Sequence, residues 1–371
     1  MTRSRPSVTD DFAGIQANVK AGLGRVEGAL AEAVATADPF VAEAASYLVT
    51  AGGKRLRPTL VLIAGHTGDP DEPRLVGAAV AIELTHLSSL YHDDVMDEAE
   101  LRRGMRSPNA RYDNKVAVLT GDYLFARASE VTASLGTEAT RVLARAIARL
   151  TQGQISEVRG PGPGDDPVEH YLAVLADKTG ALIATACRLG GYLAGADPRV
   201  VAALTEFGER VGRAFQLGDD LLDITGDAGV AGKVPGGDLR AGVRTLPVLY
   251  LLRQGGPDAD KITAVLDGDH DNGAVGEALD LLRRSPALTE ARRTAQAEVD
   301  AARAALDGVP AGPVRTALQA VADQVLDRLV LGAGIPADRI GTARRSRGAT
   351  TAVACWPVAM NPGGCRGHSR R

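Results

Sequence analysis

Apolar residues recur along most of this chain at intervals of three and four, the spacing that lines one face of an α-helix. Phe12, Ile15, Val19, Leu23, Val26, Leu30 and Val34 set the rhythm over residues 11–36, and a shorter segment follows over 39–50. Longer ones are expected over about 73–103, Val116–Leu135, 137–158 and 198–225, with further packing helices to about Val330. Gly160-Pro161-Gly162-Pro163-Gly164 breaks the pattern, and Asp166, Pro167 and Glu169 then mark a capped helix start. No linker or change of composition divides residues 1–331, which predicts one all-α domain.

Composition narrows the choice of partner and compartment. Of 371 residues 45% are hydrophobic, enough for a large core, and only 4% are aromatic. A net charge of −4 gives no overall basic field, so nucleic acid is not expected as a partner. Cys187, Cys355 and Cys365 have neither metal-ligand spacing nor a disulfide framework, and no apolar run reaches the ~18 residues of a membrane span. A cytoplasmic location without a transmembrane segment is the expectation. Residues 332–371 differ from the rest: after Asp338 there is no carboxylate, while Arg344, Arg345, Arg347, Arg366, Arg370 and Arg371 add positive charge. They read as a basic tail without fixed structure.

The chemistry concentrates in His92-Asp93-Asp94-Val95-Met96-Asp97. On a helix Asp93 and Asp97 share a face, with Asp94 about 100° round. Like charges so spaced repel, and an oxygen-only ligand set suits Mg²⁺, which completes its shell with water and substrate phosphate. A solvated acidic face would explain one such triplet. The geometry recurs, however, in Asp219-Asp220-Leu221-Leu222-Asp223, preceded by Phe215-Gln216.

Cations flank these clusters. Gly52-Gly53-Lys54-Arg55-Leu56-Arg57-Pro58 puts two glycines, three cations and a helix-starting proline in one loop, a candidate diphosphate clamp at a helix N-terminus. His86 lies two turns before Asp93, Arg102-Arg103-Gly104 follows the first cluster, and Lys178-Thr179 sits mid-helix. Taken singly, each has a plain structural explanation: a basic surface loop, a packed histidine, dipole-complementing arginines, a lysine reaching solvent.

In this order the GGKRLRP loop, His86, DDVMD with its RRG, Lys178-Thr179, Phe215-Gln216 with DDLLD, and Gly232-Lys233 resemble the trans-isoprenyl diphosphate synthases over about residues 10–330. That resemblance implies a single large antiparallel helical bundle around a central cavity, usually a homodimer. It implies that Asp93, Asp97 and Asp219 bind Mg²⁺ most directly, with Asp94, Asp220 and Asp223 in support. Lys54, Arg57, His86 and Arg103 would hold isopentenyl diphosphate; Arg102, Lys178, Thr179, Gln216 and Lys233 would hold the allylic diphosphate. One departure stands out: where the family commonly places lysine in Gly-Lys-x-Thr-Leu-Pro, this chain has Gly242-Val243-Arg244-Thr245.

The reaction so implied needs no nucleophilic side chain, only neutralisation of a departing diphosphate. Asp93, Asp97, Asp219 and Lys178 are the residues expected to carry it. Product length is read from the wall below Asp93, where Ser89, Thr85 and Ala81 step back one turn at a time with Ser88 beside them. A turn rises roughly 5.4 Å, about the length of one isoprene unit, so small residues leave room for further units. The expectation is a product longer than geranylgeranyl, of the quinone side-chain type. The stretch Leu84–His92 also resembles bacterial long-chain members. A geranylgeranyl or farnesyl product is the alternative. A class I terpene cyclase lacks a second DDxxD cluster, and a non-catalytic subunit would be expected to have lost one.

Overall fold

The computed structural model describes residues 12–226, 235–268 and 272–331. They are helical nearly throughout: α1 (Phe12–Val34), α2 (Pro39–Thr50), α3 (Leu56–Gly65), α4 (Arg74–Met96), α5 (Pro108–Tyr112), α6 (Asn114–Leu135), α7 (Thr137–Arg159), α8 (Pro167–Leu175) and α9 (Ala181–Leu193) come first. Then follow α10 (Pro198–Thr225), α11 (Gly237–Arg240), α12 (Leu246–Gln254), α13 (Pro257–Leu266), α14 (Asn272–Arg284), α15 (Pro286–Ala305) and α16 (Pro313–Leu331). The predicted all-α class is what is observed. Lys233 and the tail, including Cys355 and Cys365, lie outside the described residues.

Local chemistry sets the ends. Asp38, Asp166 and Asp197 each accept backbone N–H groups at the start of α2, α8 and α10, with proline in the first turn. The centre is built on α4 and α10. Helix α4 packs on α6, α3, α9 and α1, while α10 packs on α9, α15 and α16. Helix α3 is buried from Pro58 to Gly65, as its unbroken apolar run requires.

Two stretches differ from the periodicity. The helix expected to reach about residue 103 stops at Met96, capped by Asp97. Glu98 has φ 47°, and Arg103 (φ 55°) and Gly104 (φ 77°) turn a short hairpin, β1 (Leu101–Arg102) against β2 (Met105–Arg106). Such left-handed residues cannot continue a helix. Second, Lys178-Thr179-Gly180 does not continue a regular helix. It lies in a π-helical turn, Ala176–Gly180, between α8 and α9. Such single-turn insertions occur frequently at functional sites.

Candidate active site

The basic loop resolves into distinct roles. Arg55 is turned inward and 7% exposed, bound to Glu27 of α1 at 2.6 and 3.0 Å, Glu83 of α4 at 2.7 Å and the Val49 carbonyl at 2.9 Å. Burial works against its charge, but hydrogen bonds and the fields of Glu27 and Glu83 outweigh that and raise its pKa. It braces the loop. Lys54 lies with its Nζ 5.6 Å from the centroid of the Phe215 ring, which brings the loop against α10 one turn before Asp219.

Arg57, His86 and Arg103 form a second group, half-buried and set in one another's positive fields. Burial, opposed by Glu83 and aided by Arg103, lowers Arg57 to about 10, and its Nε is buried without a hydrogen-bond partner. His86 is held well below its ordinary value by burial and then by the fields of Arg57 and Arg103. Arg103 donates to the carbonyls of Leu48, at 3.0 Å, and Gly52. Gly53, at φ 155°, lies so close that a Cβ there would be 3.1 Å from the Arg103 guanidinium. Partly desolvated like charges with spare donor capacity are costly unless an anion joins them.

At the acidic end the carboxylates divide as sharply. Asp94 is fully buried and its Oδ1 accepts Arg102 Nε at 2.7 Å, so this pair is an internal tie between α4 and the hairpin. Asp93 is half-buried, and Asp97 is exposed at the helix end. Burial, with the like charges of Asp97 and Glu157, raises Asp93 to about 6 against the pull of Lys178 and Arg102. Lys178 itself bonds Glu157 of α7 at 2.6 Å; burial opposes its charge, but Glu157, Asp93 and Asp97 raise its pKa.

From Lys178 a line of contacts crosses to the second cluster. Thr179 Oγ1 donates to Gln216 Oε1 at 3.3 Å, and Gln216 Nε2 donates to Asp220 Oδ1 at 2.9 Å. Tyr171 of α8 donates its hydroxyl to Asp220 Oδ2. Asp220 is raised to about 6 by burial, against these two hydrogen bonds. Asp223 accepts the backbone N–H groups of Gly237 and Asp238 at 3.1 and 3.0 Å, capping α11. Asp219 is half-buried on the same α10 face as Phe215. Close backbone approach makes this possible: a Cβ on Gly212 would lie 2.7 Å from Gly180 Cα, and one on Gly153 2.9 Å from Lys178 N.

Among the described residues no three acidic, histidine or cysteine side chains converge into a ready-made metal cage. The donor chemistry is nonetheless all oxygen, which suits a hard cation that takes part of its shell from a bound anion. Arg244 pairs with Asp267 at 3.8 Å, both more than half exposed.

Comparison with known proteins agrees. A sequence profile named Polyprenyl synthetase matches residues 38–282. The chain belongs to that family. It is 44% identical over 314 residues to a nonaprenyl diphosphate synthase of Mycobacterium tuberculosis, spanning 84% of this chain and 94% of that one. A geranylgeranyl pyrophosphate synthase from Corynebacterium glutamicum, solved with calcium and isoprenyl diphosphate, is 39% identical with TM-score 0.75, over 84% of this chain and 96% of that one. A decaprenyl diphosphate synthase from Rhodobacter capsulatus gives 32% and TM-score 0.78, over 86% and 99%. As a member of the polyprenyl synthetase family, the chain is a prenyltransferase by class.

Of the small residues below Asp93, Ala81 and Thr85 are buried and Ser89 is half-buried; the Thr85 and Ser89 hydroxyls turn back to the carbonyls of Ala81 and His86. Ser88 instead donates to Gly121 O of α6 at 2.8 Å, so it serves the contact between α4 and α6. Sequence reasoning missed Tyr171, Glu157, Glu27 and Glu83. Glu83 carried a signal, an acidic residue inside the apolar run Ala78–Leu84.

Proposed function

We propose that this family member condenses isopentenyl diphosphate with an allylic diphosphate, head to tail and all-trans, in a Mg²⁺-dependent reaction, to a polyprenyl diphosphate longer than geranylgeranyl. The observation that carries the reading is the pairing of two opposite fields: half-buried Arg57, His86 and Arg103 at one end, Asp93 with Lys178 and the Asp219 turn at the other. The cationic end suits the diphosphate of isopentenyl diphosphate, which is not cleaved. The acidic end suits the allylic diphosphate, which leaves.

Asp93, Asp97 and Asp219 would hold Mg²⁺ most directly, and the ion, when bound, neutralises charge growing on the leaving group. Asp94, Asp220 and Asp223 act in support, through the ties to Arg102, Tyr171 and α11. Lys178, Thr179 and Gln216 line the allylic side, and Lys54 stands beside Phe215. The allylic C–O bond breaks, the isopentenyl double bond supplies the electrons of the new C–C bond, and a proton leaves to the released diphosphate. His86, whose basicity is suppressed by burial and four arginines, is better suited to binding than to taking that proton.

Small Ala81, Thr85 and Ser89, with hydroxyls satisfied by their own helix, leave an apolar wall that favours a long product. The exposed apolar residues of α6, Val118 39%, Leu119 67% and Phe125 39% exposed, favour a homodimer. No helix among the described residues is long and apolar enough to cross a membrane. The deciding assay incubates purified protein with Mg²⁺, labelled isopentenyl diphosphate and, in turn, dimethylallyl, farnesyl or geranylgeranyl diphosphate, and reads product length. A product of five or more isoprene units supports the proposal; one that stops at four supports the geranylgeranyl alternative; none refutes the enzyme.

A further inference from the structure

One part-buried polar contact, the tie of Tyr171 to Asp220, carries a role of its own. Tyr171 lies on α8, outside every acidic or basic motif, yet its hydroxyl bonds a carboxylate of the second cluster. Asp220 is 8% exposed and has both oxygens occupied, Oδ2 by Tyr171 and Oδ1 by Gln216. Its neighbour Asp219 lies about 100° round the helix, in line with Phe215 and thus on the side where Lys54 approaches. Adjacent identical side chains therefore face different surroundings, and on the inner side a phenol and an amide occupy both oxygens of Asp220.

We propose that Tyr171 is a positioning residue for the diphosphate end of the site: with Gln216 it keeps Asp220 turned into the protein, fixing the roll of α10 that presents Asp219. The same hydrogen bonds run on through Thr179 to the π-helical turn that carries Lys178, so one phenol sets the relation between α10 and that turn. Without it, Asp220 keeps a buried oxygen with no donor and is drawn toward any cation that Asp219 binds. Groups that orient metal-binding carboxylates in this way typically contribute about 10- to 100-fold to ligand affinity.

The inference rests on the proposed function and is tested apart from it. Calorimetric titration of inorganic pyrophosphate with Mg²⁺ into the wild-type protein tests the site itself; absence of binding overturns both. If wild type binds, Tyr171→Phe is expected to weaken pyrophosphate by about tenfold or more, with KM for isopentenyl diphosphate changed less than about twofold, as the two ends are separately built. On an Asp220→Asn background, Tyr171→Phe should have less than about a twofold further effect, because the tyrosine acts through that carboxylate. Unchanged pyrophosphate affinity, full additivity, or an equal loss at the isopentenyl end overturns the role. Should Tyr171→Phe fail to fold by circular dichroism, Asp220→Asn alone carries the same contrast between pyrophosphate and isopentenyl diphosphate.

Discussion

Replacing Arg55 by alanine removes the brace of the basic loop and leaves Glu83, 3% exposed at its side chain, without its guanidinium partner. Breaking a buried ion pair from one side costs about 3–5 kcal/mol, because the remaining charge stays in a poorly solvating interior. Glu27, 48% exposed, contributes little to that figure, since water solvates it readily. Arg57 and Arg103, which both feel the Glu83 charge, partly replace the lost partner and favour the lower end. At roughly 2 °C per kcal/mol for a chain of this size, thermal unfolding at pH 7 should move down by about 6–10 °C. KM for isopentenyl diphosphate should rise as well, since Lys54 and Arg57 lie on either side of the brace. Arg55→Ala with Glu83→Gln removes the stranded charge and should recover at least half of the loss. A single mutant within about 2 °C of wild type, or a double mutant no better than the single, would refute the argument.

Further predictions follow from the acidic end. Asp93 rises from 3.8 unfolded to about 6 folded, so the native chain holds the proton more tightly and stability falls as pH climbs between those values. The full shift is worth about 3 kcal/mol, and solvent access at this half-buried group leaves roughly 1–2 kcal/mol. Asp93→Asn should therefore be more stable than wild type at pH 7, equal to it near pH 4 in parallel melts, and inactive; equal stability at both pH values would contradict the burial argument. Asp219→Ala should abolish condensation while keeping the helical circular dichroism signal, and near-normal turnover would defeat its assignment. Gly153→Ala forces a Cβ to 2.9 Å from the Lys178 backbone nitrogen, so kcat should fall about tenfold or more with a melting shift of only a few degrees. Ser89→Phe should shorten the product read by chromatography, and an unchanged chain-length profile would remove Ser89 from the pocket.

The helices, both acidic clusters and the basic loop could be read in the sequence because each is written in residues adjacent along the chain or one turn apart. What could not be read depends on distant partners. Which of the three loop cations turns inward is decided by Glu27 and Glu83, each 28 residues from Arg55 in opposite directions. The end of α4 depends on Glu98 adopting φ 47°, which its residue type does not announce. The π-helical turn at Lys178 adds one residue to a helix without disturbing the visible rhythm. Ser88 and Ser89 look equivalent as small residues, but a 100° step sends one hydroxyl to α6 and the other to its own helix.

The two ends of the site are prepared in opposite ways, and this bears on how substrates would enter. At the cationic end the donors are already brought together and half-buried, with Arg103 held by backbone carbonyls, so a free diphosphate can bind with little rearrangement. At the acidic end Asp220 and Asp223 are occupied by protein donors, Asp94 has only its Oδ1 so occupied, and no described trio of acidic side chains forms a cage. A hard divalent cation with one or two carboxylates still lacks most of its shell, which phosphate oxygens and water must supply. The acidic end is thus built for cation and allylic diphosphate together, each raising the affinity for the other by the same factor. Pyrophosphate should therefore tighten Mg²⁺ binding in calorimetry as much as Mg²⁺ tightens pyrophosphate, whereas isopentenyl diphosphate should bind nearly as well without the metal.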